Sequence, residues 1–449
     1  MKTRTYISLF IILLSTLLCS NVNAQQFSVE EQHEIDSLNS IINSKIDDDT
    51  LLVSAYVNLS QILYVINIDT LSSLSETVIE IIDKALSNNP SKKVKKVLLT
   101  YQAIAISNIG YVHKTHGEIL KTLECWNKTY KIQKEINDKD GLSSTLNNLG
   151  YIYKSQGDIE KALEFYHESL KLYKELKDQA GEALSYNNIG LIYYSQKDIE
   201  KALEYCHHSL KIREDISDKN GVSQSLNNIG VIYDNNEHKD SALVYFKKSL
   251  SIRQEIGDKR GIAASLQHIG KALCELDSID KGLSLLKKGL HLSTEIDDKL
   301  WICYNADVIS SQYLKINQID SAEYYANLSM EIAKKLAYPD NIERAAHNLF
   351  EVYRKQNKYE DALDMYMLKI EMRDSINNEN NNKAAIRQQT KYEYEKQKTI
   401  DDAENYKLVV IEQEAREKQR IITYFTVAVL VLVVLFLFFV VNRLQLTKK

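Results

Sequence analysis

The sequence has few residues that break helices. Its 449 residues include only 14 Gly and 2 Pro. Both residue types are unfavourable inside helices, so their scarcity indicates a mostly helical chain. Hydrophobic residues make up 44% and charged residues 26%, which is the balance of a globular protein and not of a disordered one. The composition therefore predicts an all-α fold.

Cysteine is also scarce, and its placement excludes the usual cysteine sites. There are five cysteines, with no Cys-x-x-Cys pair and no Cys/His spacing typical of zinc. We interpret the four that follow the N-terminal quarter of the chain as small buried side chains of the helices: Cys125, Cys206, Cys274 and Cys303. The sequence predicts no metal and no cofactor.

Basic stripes and catalytic motifs are missing as well. The net charge is -5, and no basic stripe marks a nucleic-acid surface. There is no Gly-rich phosphate loop, no His-Glu-x-x-His and no Gly-x-Ser-x-Gly. The adjacent His207 and His208 point to different faces of a helix, so they cannot hold one metal ion together. We expect neither enzymatic activity nor nucleic-acid binding.

What the sequence does contain is an internal repeat. The stretch 144–153 returns with small changes at 184–193 and again at 224–233. A fixed period of about 40 residues indicates stacked units, each too small to bury its own apolar face. The period is marked by five glycines: Gly110, Gly150, Gly190, Gly230 and Gly270.

Each unit is predicted to be a helix, a short turn and a second helix. In the clearest unit we expect the first helix at 142–155 and the second at 159–176. Gly157 suits a helix end, and Asp158 suits the N-cap of the next helix. The units are joined by Asp-x-x-Gly links, which predict turns and not phosphate loops. These links stand at 138–141, 178–181, 218–221 and 258–261.

The units resemble tetratricopeptide repeats, in the 40-residue form found in kinesin light chains. The residues that carry the family signature are, in order, Leu146, Leu149, Gly150, Tyr153, Ala162, Tyr166 and Ser169. The resemblance implies a right-handed α-solenoid whose first helices line an inner, concave wall. We count seven units from about residue 103, after a degenerate one, and the match to the signature weakens towards residue 376.

The two ends of the chain predict an exported, single-pass membrane protein. Lys2 and Arg4 precede a short apolar run, and Ala24 fits the small-residue cleavage rule of a signal peptide. Residues 421–441 are uncharged and almost wholly apolar, which is long enough to span a bilayer. The predicted segments are a signal peptide at 1–24, a degenerate N-terminal repeat or cap at 25–101, the solenoid at 102–376, a charged juxtamembrane helix at 377–420, the membrane helix at 421–441 and a tail at 442–449. We expect a periplasmic repeat region and a cytoplasmic tail.

A row of asparagines is the main candidate for a binding site. Asn108, Asn148, Asn188, Asn228 and Asn348 stand two residues before the glycine position, and Asn147, Asn187 and Asn227 directly precede three of them. An amide offers donors and an acceptor, so it can hold the backbone of a peptide. Kinesin-type repeats carry a similar row, which by resemblance binds cargo peptide. Tyr151, Lys154 and Tyr194 project near the row. The alternative interpretation is that these amides fix the stacking of the units, and the sequence leaves both interpretations open.

The sequence therefore predicts a non-enzymatic, membrane-anchored scaffold that binds a protein or peptide in its concave groove. The alternative is the sensor portion of a bacterial receptor, because the layout resembles sensors whose output is a histidine kinase, phosphatase, cyclase or DNA-binding regulator. Only eight residues follow the predicted membrane helix, so that output would be missing or lie on another chain. A structural role in an envelope assembly is a third hypothesis. Either a homodimer or a separate signalling partner agrees with each of them.

Overall fold

The computed structural model describes residues 28–44, 48–63, 68–336 and 338–377, together with 418–420 and 423. These ranges are helical and contain no strand. The chain divides into two compact units, 1–384 and 385–449, and nearly all described residues belong to the first. Within the described ranges, no helix combines the length and the apolar character needed to cross a bilayer. The predicted signal peptide, juxtamembrane helix and membrane helix lie almost entirely outside the described residues.

The described part of the first unit is a succession of helices joined by short turns. In chain order they are α1 (Val29–Asn43), α2 (Asp49–Leu63), α3 (Ile68–Ser87), α4 (Lys92–Thr115), α5 (Ile119–Glu135), α6 (Lys139–Ser155), α7 (Ile159–Leu176), α8 (Gln179–Ser195), α9 (Ile199–Asp215), α10 (Lys219–Asn235), α11 (Lys239–Glu255), α12 (Lys259–Glu275), α13 (Ile279–Glu295), α14 (Lys299–Lys315), α15 (Ile319–Leu336) and α16 (Pro339–Lys355). A further helix, α17, covers 359–377. Neighbouring helices in the chain pack against each other, which is the arrangement of an α-solenoid.

The helix pairs follow the predicted period. From α4 onward, each even-numbered helix is the first helix of a repeat and the next odd-numbered helix is its second. From α6 on, the first helices begin at regular intervals, namely at Lys139, Gln179, Lys219, Lys259, Lys299 and Pro339, so two helices and their turns make up one period. The helix α4 is longer than the other first helices and begins at Lys92, before the predicted start of the repeats. The prediction of repeated helix–turn–helix units in an all-α solenoid is confirmed.

The turns between helices share one backbone geometry. Gly157 has φ +76°, and its backbone N–H and that of Asp158 donate to the carbonyls of Lys154 and Tyr153. This pattern of bonds ends a helix with a residue in the left-handed region. The same positive φ recurs at non-glycine residues, for example at Lys177, Lys197 and Ser217. Only the glycine positions were recognisable as helix ends in the sequence.

The Asp-x-x-Gly links are helix starts and not turns, which corrects the prediction. Asp218 is the N-cap of α10, and its Oδ1 accepts from the backbone N–H of Gly221 at 2.9 Å. The glycine is therefore the third residue of the helix, so α6 begins at Lys139 and not at residue 142. A Cβ on Gly221 would lie 2.0 Å from Oδ2 of Asp218 and 2.7 Å from Cδ of Arg213. Glycine leaves the space that the cap and the side chain of Arg213 occupy.

Close contact between the two helices of a unit builds the core. A Cβ on Gly150 would lie 2.8 Å from the ring of Tyr166, which is fully buried together with Ala162. In the next unit Cys206 takes the place of that ring. The four described cysteines are free; three are buried and Cys125 is half-buried. This agrees with their interpretation as packing residues of the helices.

Candidate functional site

The asparagines of the row lie on the first helices, where they connect neighbouring units. Nδ2 of Asn188 on α8 donates to Oδ1 of Asn147 on α6 at 2.9 Å. One unit later, Nδ2 of Asn228 on α10 donates to Oδ1 of Asn187 on α8, also at 2.9 Å. Each bond joins residues 41 positions apart. These four amides form a ladder that ties three successive first helices together.

The ladder is interrupted over two donor positions and has one later rung. Asn348 on α16 donates to Oδ1 of Asp307 on α14 at 2.8 Å, again across 41 positions. Between these rungs the two donor positions are held by His268 and Val308, and the His268 ring stacks on Phe246 with centroids 4.9 Å apart. Oδ1 of Asn227 is consequently buried with no partner among the described residues. The stacking interpretation accounts for the bonded amides, and peptide binding by the row stays a prediction.

On α6, three polar side chains of the first-helix face lack the hydrogen bonds found in the ladder. The side chains of Asn148, Tyr151 and Lys154 make no hydrogen bond within the described part of the chain, and Tyr151 is 48% exposed. Nζ of Lys114 on α4 lies 4.4 Å from the centroid of the Tyr151 ring. Burial lowers the pKa of both Lys114 and Lys154. We call Lys114, Asn148, Tyr151 and Lys154 the α6 patch.

A short residue explains why Asn148 is left out of the ladder. The corresponding acceptor position on α4 is held by Ser107, whose side chain is shorter than the asparagines found at this position in the next units. The carbonyl of Ser107 accepts from Nε1 of Trp126 at 3.1 Å. On the same helix, Nδ2 of Asn108 is buried and finds no partner among the described residues. Unused hydrogen-bonding capacity on this face is therefore found on α4 and α6, in addition to Oδ1 of Asn227 on α10.

On α8, α10 and α12 several polar groups near this face are paired with one another or with the second helix α11. The hydroxyl of Tyr194 accepts from Nδ2 of Asn235 at 2.5 Å. The buried carboxylate of Asp234 lies 2.7 Å from Nζ of Lys239, which also reaches Glu275 at 2.6 Å. A second lysine, Lys271, lies 3.5 Å from Asp234. We call Tyr194, Asn235, Asp234, Lys239, Lys271 and Glu275 the paired region.

The titratable groups suit noncovalent binding better than covalent chemistry. Burial raises the pKa of Cys206 to about 12 and raises that of the other three described thiols, so the thiolate needed for nucleophilic attack is disfavoured. Burial lowers the pKa of His268 to about 4, so its imidazole is neutral near pH 7. Among the described residues, no group of three His, Cys, Asp or Glu is placed to hold a metal ion.

The comparisons agree with this architecture. Residues 101–175 and 181–255 match the tetratricopeptide repeat model. No curated protein matches the chain. A similar solved structure is the apo form of the quorum sensor NprR from B. thuringiensis, with 15% identity and a TM-score of 0.56, covering 77% of this chain and 99% of that one.

Two further solved structures show the same fold. Aspartyl phosphate phosphatase F from Bacillus subtilis has 15% identity and a TM-score of 0.53, covering 78% of this chain and 96% of that chain. A Rap protein complexed with competence and sporulation factor has 13% identity and a TM-score of 0.50, covering 78% of this chain and 99% of that chain. At these identities the likeness concerns the fold alone. Residues 101–175 and 181–255 of this protein are tetratricopeptide repeats, set within a stack of helix pairs that keeps one period from α5 to α17.

Proposed function

We propose that this protein is a scaffold that binds a protein or peptide segment on its first-helix face and carries out no catalysis itself. The observation that carries the proposal is the α6 patch. Its amide, phenol and ammonium groups stand side by side on neighbouring helices and make no hydrogen bonds within the described residues. Polar groups that are partly withdrawn from water without a hydrogen-bond partner have free energy to gain when a ligand supplies one.

The chemistry of the patch fits the backbone of an extended segment. Asn148 can donate to a carbonyl and accept from an N–H, whatever side chains the segment has. The ammonium groups of Lys114 and Lys154 can donate to further carbonyls. The Tyr151 ring gives an apolar surface with a polar edge, which is typical of residues that dominate binding energy at interfaces.

The ladder and the paired region would support ligand binding by forming a rigid frame. Because their polar groups already bond to each other, the first helices are held in register before a ligand arrives. A preformed surface loses less conformational entropy on binding. The fold is also found in a quorum sensor and in a Rap protein complexed with competence and sporulation factor, so it is compatible with ligand recognition.

The test starts from peptides selected on the full-length protein from a random display library. The triple variant Asn148→Ala, Tyr151→Ala, Lys154→Ala is expected to weaken the selected peptides at least about tenfold, because three contacting groups are removed. The control is Val244→Ala, at a 51% exposed position on the second helix α11. Affinities that are equal for the parent and the triple variant would rule out the α6 patch as the site.

We also propose that the repeats face the periplasm and that residues 421–441 anchor them in the membrane. The uncharged, apolar composition of this segment and the signal-like N-terminus support the proposal. Such a protein would act in signal sensing or complex assembly. Resistance to carbonate extraction from membranes, together with protease sensitivity of the repeats from the periplasmic side, is expected. Release of the chain by carbonate would contradict the anchor.

A further inference from the structure

A cleft of about 380 Å³ opens between the second helices α9 and α11, with α10 as its floor. Leu210 and Leu226 contribute apolar surface, while Glu214, Tyr245 and Lys248 contribute polar groups. The volume lies near the lower end of the range of about 300–1,000 Å³ that is usual for small-molecule sites. None of these residues belongs to the α6 patch or to the asparagine row.

The preceding unit shows what occupies the equivalent place. The counterpart of Leu226 there is Tyr186, whose hydroxyl accepts from Nζ of Lys174 at 2.8 Å. Its ring stacks on His208 with centroids 5.2 Å apart and lies 5.9 Å from the centroid of Tyr205. Tyr186 therefore places a phenol between the second helices α7 and α9.

The walls around these two places are nearly the same. In both units a histidine of the earlier second helix lies beside a tyrosine of the later one, and that tyrosine also contacts a tyrosine of the first helix. The centroid distances are 6.5 Å for His167–Tyr205 and 6.0 Å for His207–Tyr245, and 5.3 Å for Tyr193–Tyr205 and 5.4 Å for Tyr233–Tyr245. The aromatic wall is thus repeated, while the ring of Tyr186 is replaced by Leu226.

We propose that this cleft is a binding site for a tyrosine side chain presented by a partner protein. The partner's ring would take the place that Tyr186 takes one unit earlier. Glu214 stands at the position of Lys174, so the pairing is reversed and its carboxylate accepts from the phenol O–H. Lys248 stands at the position of His208 and brings an ammonium to the ring face, a favourable cation–π contact. The two leucines cover the apolar edge of the ring.

The site selects tyrosine over other side chains for a physical reason. An aliphatic side chain would fill the apolar floor but offer no face to Lys248. A phenylalanine ring would offer the face but no donor to Glu214. Of the aliphatic, phenyl and phenol side chains, the phenol is the one that satisfies both groups at once, as Tyr186 satisfies Lys174 and His208 in the preceding unit.

The structure supplies a matched pair of positions for the test. Ser251 lines the cleft, and Lys211 is its counterpart in the preceding unit, where Tyr186 already fills the space. Full-length S251C and K211C proteins are equilibrated with a 4-hydroxyphenethyl disulfide at increasing β-mercaptoethanol, and the adduct is measured by intact mass. S251C is expected to keep the adduct up to an about tenfold higher concentration of reductant than K211C. Burial of one side of the ring in the cleft stabilises the adduct by about 1.4 kcal/mol, which corresponds to this factor.

Two exchanges make the test reciprocal. L226Y in S251C is expected to reduce adduct retention to the K211C level, and Y186L in K211C is expected to raise it to the S251C level. The preceding unit accommodates a tyrosine at this place, so L226Y has a structural precedent. If L226Y does not fold, adduct retention by Y186L in K211C tests the proposal independently. Equal retention by S251C and K211C would overturn the proposal. Phenethyl or isobutyl disulfides retained as well as the phenol would overturn its assignment to tyrosine.

Discussion

The α6 patch and the paired region share repeated positions of the first helices, yet the polar groups at these positions are in opposite states. Lys154, Tyr194 and Asp234 are successive copies of one position. Lys154 has no hydrogen-bond partner among the described residues, Tyr194 bonds to Asn235, and Asp234 joins an ion-pair network. A repeated position therefore does not have a repeated role. What the neighbouring helix offers decides whether the side chain stabilises the stack or remains open to a ligand.

Substitutions at the equivalent positions Asp234 and Lys154 should produce the largest difference in unfolding free energy between the two regions. Asp234→Ala leaves two lysines without their buried acid and is expected to cost about 2–3 kcal/mol of unfolding free energy. At the equivalent position, Lys154→Ala is expected to change it by less than about 0.5 kcal/mol, because no ion pair is lost. Urea unfolding of the two variants measures both values. Equal losses would show that the two regions do not differ as described.

Acidification should weaken the stack at the interruption of the ladder. The folded pKa of His268 is about 4, below the ordinary value of 6.5, so the unfolded chain binds the proton more tightly. Stability is then fully present above pH 6.5 and is lost as the pH falls towards 4. The ring keeps part of its surface exposed, so we expect a loss of about 1–2 kcal/mol across this window.

The control for this pH dependence is His268→Gln. The variant removes the titrating group, and unfolding free energies measured between pH 6.5 and pH 4 should then show a correspondingly flatter slope. An unchanged slope would assign the pH dependence to other groups.

Within the asparagine row, bonded and unbonded members should differ in what they contribute to stability. Asn188→Ala leaves Oδ1 of Asn147 without its donor and is expected to cost about 1 kcal/mol. Asn148→Ala removes no hydrogen bond between described residues and is expected to cost less than about 0.5 kcal/mol. Thermal unfolding compares the two. Matching losses would mean that the 2.9 Å bond between the two amides contributes nothing to stability.

The smallest effect should come from extending the ladder. Ser107→Asn places an acceptor amide on the helix before Asn148, as in the next two units, and is expected to stabilise the protein by about 0.5–1 kcal/mol. The same change should weaken ligands of the α6 patch, because Asn148 becomes occupied. Thermal unfolding and peptide affinity measured together check the two effects. A gain in stability with no loss of affinity would separate Asn148 from the binding site.

The repeat architecture could be predicted because its signals are local. Gly157 and Asp158 were recognised as a helix end and a helix start from their own backbone preferences. The same reasoning misplaced Gly221 and its counterparts in turns. Each makes room for side chains that include one of the preceding helix, which for Gly221 is Arg213. The left-handed residues at Lys177 and Ser217 were missed, because neither residue type signals that conformation.

The sequence by itself determined the repeat period, the helix pairs and the class of repeat, because glycine spacing and apolar periodicity are readable along one dimension. It also placed every member of the asparagine row. Only the tertiary structure decided which amides bond to each other, since each partner lies on the first helix of a neighbouring unit. It likewise decided that replacing the Tyr186 ring by Leu226 opens a cleft, because a cavity depends on what surrounding helices leave unfilled.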